Sequence, residues 1–309
     1  MANLFPSLAR RILPRLGQAP ARSGGLRQWF SKGAYSGSID PISQAVVLGN
    51  VNPADLIDYL AFDYERFALA SYESFFVASL ESDNHKLVSW SLLKLYYSSF
   101  FAAHAIMRSL GEAVVKIDRE QTDVINLMVD ASSGISPNLS AGMYRCTIRE
   151  VRPGQLDVMI TPHIDGAGVH DGFWKTFANY LNDKVIKAVA SSDADANIML
   201  AGVDEINNKL RGWLAARRND INYQQAFGVW YPVQKSKVLN ELIGRIRKVD
   251  SDSIDLKNQI DSVIPCFVNI TQYLACLNAE LANHIAVRSG RSGSFGNKWT
   301  RFQALKGAR

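Results

Sequence analysis

Six of the seven residues in Arg217-Arg218-Asn219-Asp220-Ile221-Asn222-Tyr223 carry a hydrogen-bonding side chain. Arginine binds a phosphate bidentately and keeps its proton at any physiological pH. It can therefore position a phosphodiester or stabilise the charge of its transition state. Asn219 offers a donor and an acceptor, and the Tyr223 phenol can orient a phosphate or, less easily, move a proton. A cation in the last turn of a helix complements the helix dipole, which accounts for one arginine but not for the cluster. In an unbroken helix Arg218 and Asn222 share a face, whereas Arg218 and Tyr223 lie about 140° apart. The composition predicts a helix over about 194–216 and a break after Arg218 that lets Arg218 and Tyr223 converge.

Other residues offer further chemistry. Lys94, Tyr97, Phe101, His104 and Arg108 recur at spacings of three and four, which makes one stripe down a helix. Two cations and a histidine are unusual in a core stripe, so this face is expected to line a groove or a dimer interface. His104 would then approach Arg218, the alternative being a satisfied core histidine among aromatics. His163-x-Asp165 and His170-Asp171 have metal-ligand types. Gly166 and Gly168 make that stretch a turn, however, and Asp171 reads as a helix N-cap. No metal is assigned, and a proton-transfer role for either histidine is the other reading. Trp174, Trp213, Trp230 and Tyr231 can stack bases, although such positions more often belong to a core. The chain has no phosphate-binding glycine loop, nucleophile elbow or Cys-x-x-Cys, so no small-molecule cofactor is expected.

The elements that must position these groups are mostly helical. Apolar spacing predicts helices over about 53–81, 84–110 (ended by Gly111), 121–131, 172–190, 236–248 and 254–286. The helix carrying Trp90 to Met107 is apolar nearly all round, as a central bundle helix would be. Two β-leaning runs, Met143–Val151 and Gln155–Thr161, flank Arg152-Pro153-Gly154 and read as a hairpin. The expected fold is mainly α: a helical bundle over 51–286 with a β-hairpin inserted at about 142–162.

Charge is unevenly distributed. Residues 1–39 and those after Glu280 hold 12 of the 34 basic residues and none of the 29 acids, which leaves an acidic body. Residues 1–50 and 287–309 therefore read as flexible basic arms, with Arg288 and Arg291 placed to meet nucleic acid or a neighbouring subunit. The acid-free, Arg-rich start is also compatible with a mitochondrial transit peptide, an alternative to a cytoplasmic location. Three cysteines, Cys146, Cys266 and Cys276, have no metal-ligand spacing and point to buried thiols in a reducing compartment. No apolar run approaches the roughly 20 residues of a transmembrane segment.

Two regions resemble the HEPN family, helical-bundle domains many of which are metal-independent ribonucleases of toxin, CRISPR and antiviral systems. One is the helix Leu95-Tyr96-Tyr97-Ser98-Ser99-Phe100-Phe101-Ala102-Ala103-His104-Ala105-Ile106 that runs to Gly111. The other is Arg218-Asn219-Asp220-Ile221-Asn222-Tyr223, similar to the family's Arg-x4-His motif with a polar residue after the arginine. Arg218 and Asn219 match, and Tyr223 stands where the family has histidine. The resemblance implies a homodimer whose motifs face each other across a groove. It also implies catalytic roles for Arg218 and Asn219, with Tyr223 or His104 as the base, and RNA contacts from Arg217, Lys94 and Arg108. The expected function is an RNA-directed, ribonuclease-type or RNA-binding component of a bacterial defence or toxin system, acting with RNA and possible partner proteins of a defence operon. The alternative is a non-catalytic assembly protein with a degenerate HEPN-like fold whose basic arms bind nucleic acid or neighbouring subunits.

Overall fold

In a computed structural model of the chain, residues 4–20, 24–85, 88–163, 168–182, 210–230, 246, 263–289 and 294–307 are described. The fold is mainly α, with one five-stranded antiparallel sheet. In chain order the elements begin with α1 (Leu4–Ala9), α2 (Leu26–Ser31), β1 (Ser36–Ile39), β2 (Val46–Gly49), α3 (Pro53–His85) and α4 (Val88–Ser109). They continue with β3 (Glu112–Ile117), α5 (Arg119–Ser133), β4 (Gly142–Arg152), β5 (Gln155–Pro162) and α6 (Val169–Tyr180). The last are α7 (Trp213–Asn222), α8 (Val263–Arg288) and α9 (Ser294–Gly307). The chain divides into two compact units: a helical unit of Met1–Arg11, Phe67–Ala103 and Asp165–Leu281, and a sheet unit of Ile12–Arg66, His104–Ile164 and Ala282–Arg309.

The sheet unit holds the expected hairpin, but the hairpin is not a lone insertion. The strand order is β1-β2-β5-β4-β3, so the hairpin forms the middle of a sheet whose other strands come from elsewhere in the chain. Pro153 and Gly154 make its turn, with Gly154 at φ 77°, the left-handed position that a Pro-Gly turn requires. Leu156, Val158 and Ile160 alternate inward on β5, and Val46 and Leu48 do so on β2. The short strands were harder to read. The segment Ser36-Gly37-Ser38-Ile39 has one large apolar residue, and β3 is buried at five of its six positions, so it does not alternate. α5 covers β1 closely enough that a Cβ on Gly37 would lie 2.3 Å from Val129 Cγ2.

The expectation of flexible basic arms is corrected. Leu16, Leu26, Trp29, Phe30 and Tyr35 are buried, as are Phe295 and Trp299 on α9. In the sheet unit, Trp299 Nε1 donates to Asn283 Oδ1 at 2.6 Å and Lys298 pairs with Glu65. Lys32 pairs with Asp55 at 2.8 Å, and Arg27 pairs with Asp118. Described residues at both ends therefore pack as core of the sheet unit, and several of their cations meet acids of that unit. The expected helices over 53–81 and 84–110 appear as α3 and α4, and the one over 121–131 appears as the longer α5. The predicted helix over 236–248 lies outside the described residues except for residue 246. No helix among the described residues is long and apolar enough to cross a membrane.

Candidate functional site

The helical unit gathers its chemistry where α4, α6 and α7 supply Tyr96 and Tyr97, His170 and Trp174, and Arg218. Gly212 sets the start of α7. It sits at φ 91°, and a Cβ there would lie 2.1 Å from Asp171 Oδ1 on α6. Only glycine allows both that backbone conformation and that approach. The Asp171 carboxylate also faces the N-terminus of α7, where negative charge is favoured. Asp171 lies in the first turn of α6 and pairs with Lys175 at 2.5 Å, whereas the N-cap is Gly168 rather than the expected Asp171.

The expected break after Arg218 does not occur. Asn and Asp are tolerated inside α7, which runs from Trp213 to Asn222 with Leu214, Ala215 and Ile221 buried. Tyr223 is the C-cap, its N–H donating to the Asn219 carbonyl at 2.8 Å. Arg218 and Tyr223 meet all the same, with the guanidinium carbon 5.4 Å from the Tyr223 ring centroid. Its other neighbours are the Tyr97 ring at 5.7 Å and the Tyr96 ring at 6.0 Å. Arg218 Nη2 donates to Tyr97 Oη at 2.7 Å and Nη1 donates to Asn219 Oδ1 at 2.9 Å. Nε is shielded from water and makes no hydrogen bond to a described atom. Desolvation works against the charge of Arg218, but its hydrogen bond to Tyr97 and the neighbouring phenols outweigh it and raise its pKa.

Arg217, one residue earlier, differs in one decisive respect. Its Nη2 lies 3.0 Å from Asp220, so a carboxylate neutralises it as the guanidinium rests over Trp213. No described carboxylate pairs with Arg218.

The remaining expected residues are distributed otherwise. The imidazole that shares the aromatic surroundings of Arg218 is that of His170, not His104. The His170 ring lies 5.8 Å from Tyr96, 6.3 Å from Tyr97 and 4.6 Å from Phe100. Burial, then the Arg218 charge, push its pKa down. His104 belongs to the sheet unit, where it receives a hydrogen bond from Arg108 on both Nδ1 and its carbonyl, each at 3.1 Å. Arg108 is 2% exposed, lies 3.6 Å from Asp63 and donates to the Val114 carbonyl, so the nucleic-acid contact expected of it is corrected to a core ion pair. Lys94 is half-buried and paired with Glu81.

Arg288 is exposed in the last turn of α8, and Arg291 lies outside the described residues, as do Asp165 and Tyr231. Trp174 is buried and donates through Nε1 to Tyr96 Oη, which makes it core rather than a stacking platform. Among the described residues no group of His, Cys, Asp and Glu is placed to hold a metal ion. A cavity of about 460 Å³ lined by Leu13, Ile57, Ile148 and Leu156 belongs to the sheet unit and contains none of these candidates.

Spacing alone could not reveal Tyr96 and His170 as part of this group. Tyr96 reads as the buried side of α4, and His170 is linked to it only by the packing of α6. No protein-family model, curated protein or solved structure matches the chain.

Proposed function

We propose that this chain is an RNA-directed component of a bacterial defence or toxin system, working in the cytoplasm, and that Arg218 holds an RNA phosphate. One observation carries the reading. Arg218 is a partly desolvated guanidinium with aromatic walls, an unused shielded Nε and no carboxylate partner among the described residues. Taking a cation out of water is costly unless an anion meets it, and a guanidinium fork fits a phosphate better than any other common ligand. Asn219 orients the guanidinium, and the exposed Tyr223 ring beside it offers a face to a base. The resemblance of the two stretches around Tyr96 and Arg218 to the HEPN family supports the same substrate class, a homodimer and a defence-operon partner.

A second reading, a non-catalytic assembly protein with a degenerate HEPN-like fold, is favoured by Tyr223 at the position of the family's histidine. Fluorescence anisotropy with a labelled single-stranded RNA, run beside incubation with total RNA, tests both readings. Losing a charge-assisted contact at Arg218→Gln should weaken binding about 10–100-fold, whereas Arg217→Gln should change it far less. Wild-type affinity in Arg218→Gln would overturn the site, and absence of RNA binding by the wild-type chain would leave the assembly reading.

A further inference from the structure

We infer that His170 is a second phosphate-recognition residue of the Arg218 site, held as the Nε2–H tautomer by Tyr96, so that the site grips RNA without cutting it. This rests on the RNA-directed reading of Arg218 above and deepens it.

The argument is one of proton accounting. The Trp174 indole N–H can only donate, and it donates to Tyr96 Oη at 3.1 Å. Tyr96 is fully buried, and its hydroxyl has one proton to place. Among the described residues its one acceptor is His170 Nδ1, also at 3.1 Å. Were Nδ1 the donor instead, the Tyr96 proton would be buried without a described acceptor, a loss larger than that of a satisfied hydrogen bond. Nδ1 therefore accepts, and the proton of the neutral ring resides on Nε2. Burial and Arg218 both favour that neutral ring, while Tyr96 keeps its own proton, its pKa pushed up to about 12 by burial.

The groups facing an incoming oxyanion then have one character. His170 and Arg218 flank the same two rings, Tyr96 and Tyr97. Arg218 Nε, His170 Nε2–H, the Tyr97 hydroxyl and the Asn219 amide are all donors. Nδ1 is the basic nitrogen of the cluster, and Tyr96 occupies it. Cleavage by a 2′-hydroxyl needs a base to take its proton; among the described residues the carboxylate beside this cluster, Asp171, is paired with Lys175, and no free base faces the site. The ligand class is a phosphate diester or monoester oxyanion. Among the described residues, the charged and titratable groups around His170 are Tyr96 and Tyr97 from α4, Arg218 from α7, and Asp171 with its partner Lys175 on α6.

The test uses the full chain. Imidazole nitrogen NMR on the wild type should show His170 with a bare Nδ1 and a protonated Nε2 at pH 7.5, and inorganic phosphate should shift its ring signals. A single-stranded RNA should bind His170→Phe about 3–10-fold more weakly than wild type. It should bind His170→Gln, whose amide retains a donor, nearly as well as wild type. The RNA should remain intact with the wild type at pH 7.5.

An Nδ1–H tautomer, undiminished binding by a folded His170→Phe, or wild-type cleavage lost in either Arg218→Gln or His170→Gln would each overturn the inference. If Arg218→Gln also binds as wild type, the underlying reading fails with it. If Arg218→Gln loses binding and His170→Phe does not, only the role of His170 fails.

Discussion

Arg108 and Arg218 have the same guanidinium, and their surroundings give them opposite uses. Arg108 is enclosed with the Asp63 carboxylate, which also accepts from the Leu26 N–H at 3.3 Å and from Arg66 at 3.1 Å. Burial lowers the pKa of Arg108 and Asp63 counters it. Arg108→Met leaves the buried Asp63 carboxylate with Arg66 and the Leu26 N–H as partners, so it should cost about 1–3 kcal/mol. Urea denaturation should show a lower midpoint at an unchanged slope, and an unchanged midpoint would mean that Asp63 is satisfied without it. Cys146 makes a second residue-scale prediction. Burial pushes its thiol up to about 12, and Cys266 and Cys276 are buried too. The native protein should therefore show no fast-reacting thiol at pH 8, and all three should react in denaturant. One rapid thiol in the native state would refute the burial. The stripe from Lys94 to Arg108 shows what spacing could and could not tell. Its membership of one helix was legible, but its single purpose was not. Asp63 and Glu81, which neutralise its two ends, both lie on the preceding helix α3.

At the scale of elements, long helices with strong periodicity announced themselves, whereas α7 did not. Its boundary depends on Gly212 and the approach of Asp171, a contact between residues 41 positions apart that local composition cannot encode. The sheet was half legible for a similar reason: the hairpin carries its own turn, but β2 and β3 become strands only by pairing with it, and β1 only by pairing with β2. Gly212 yields the prediction. In Gly212→Ala the left-handed backbone costs about 1–2 kcal/mol, and the Asp171 contact adds overpacking of about 1–3 kcal/mol. The melting temperature should fall, and RNA affinity should fall with it, since α7 carries Arg218. Adding Asp171→Ala should relieve the contact and not the backbone, so the double variant should recover stability only in part. Full recovery would show that φ at this position is not constraining.

At the scale of the whole molecule, the described residues of the acid-free ends that belong to the sheet unit are packed parts of that unit rather than arms. Arg27, Lys32 and Lys298 each meet a body carboxylate within the sheet unit. Pairs whose cation stays largely in water, as in these three, contribute on the order of 1 kcal/mol each, so charge alone cannot anchor these segments. Burial must do so, and on α9 it is Trp299, at 1% exposure, and Phe295, at 6%, that are buried. The Trp299 ring stacks on Phe295, which in turn meets Tyr64 edge-on. Two variants separate the roles. Lys298→Gln should leave the denaturation midpoint nearly unchanged. Trp299→Ala removes a buried indole and its hydrogen bond to Asn283, and should cost about 3–5 kcal/mol. A tail whose work was to grip nucleic acid would give the reverse pattern, with Trp299→Ala stable and Lys298→Gln losing RNA affinity and part of its salt dependence. Deleting residues 290–309 removes both groups together. It should therefore lower stability by at least as much as Trp299→Ala, and any loss of RNA binding in that deletion should be read only below its own melting temperature.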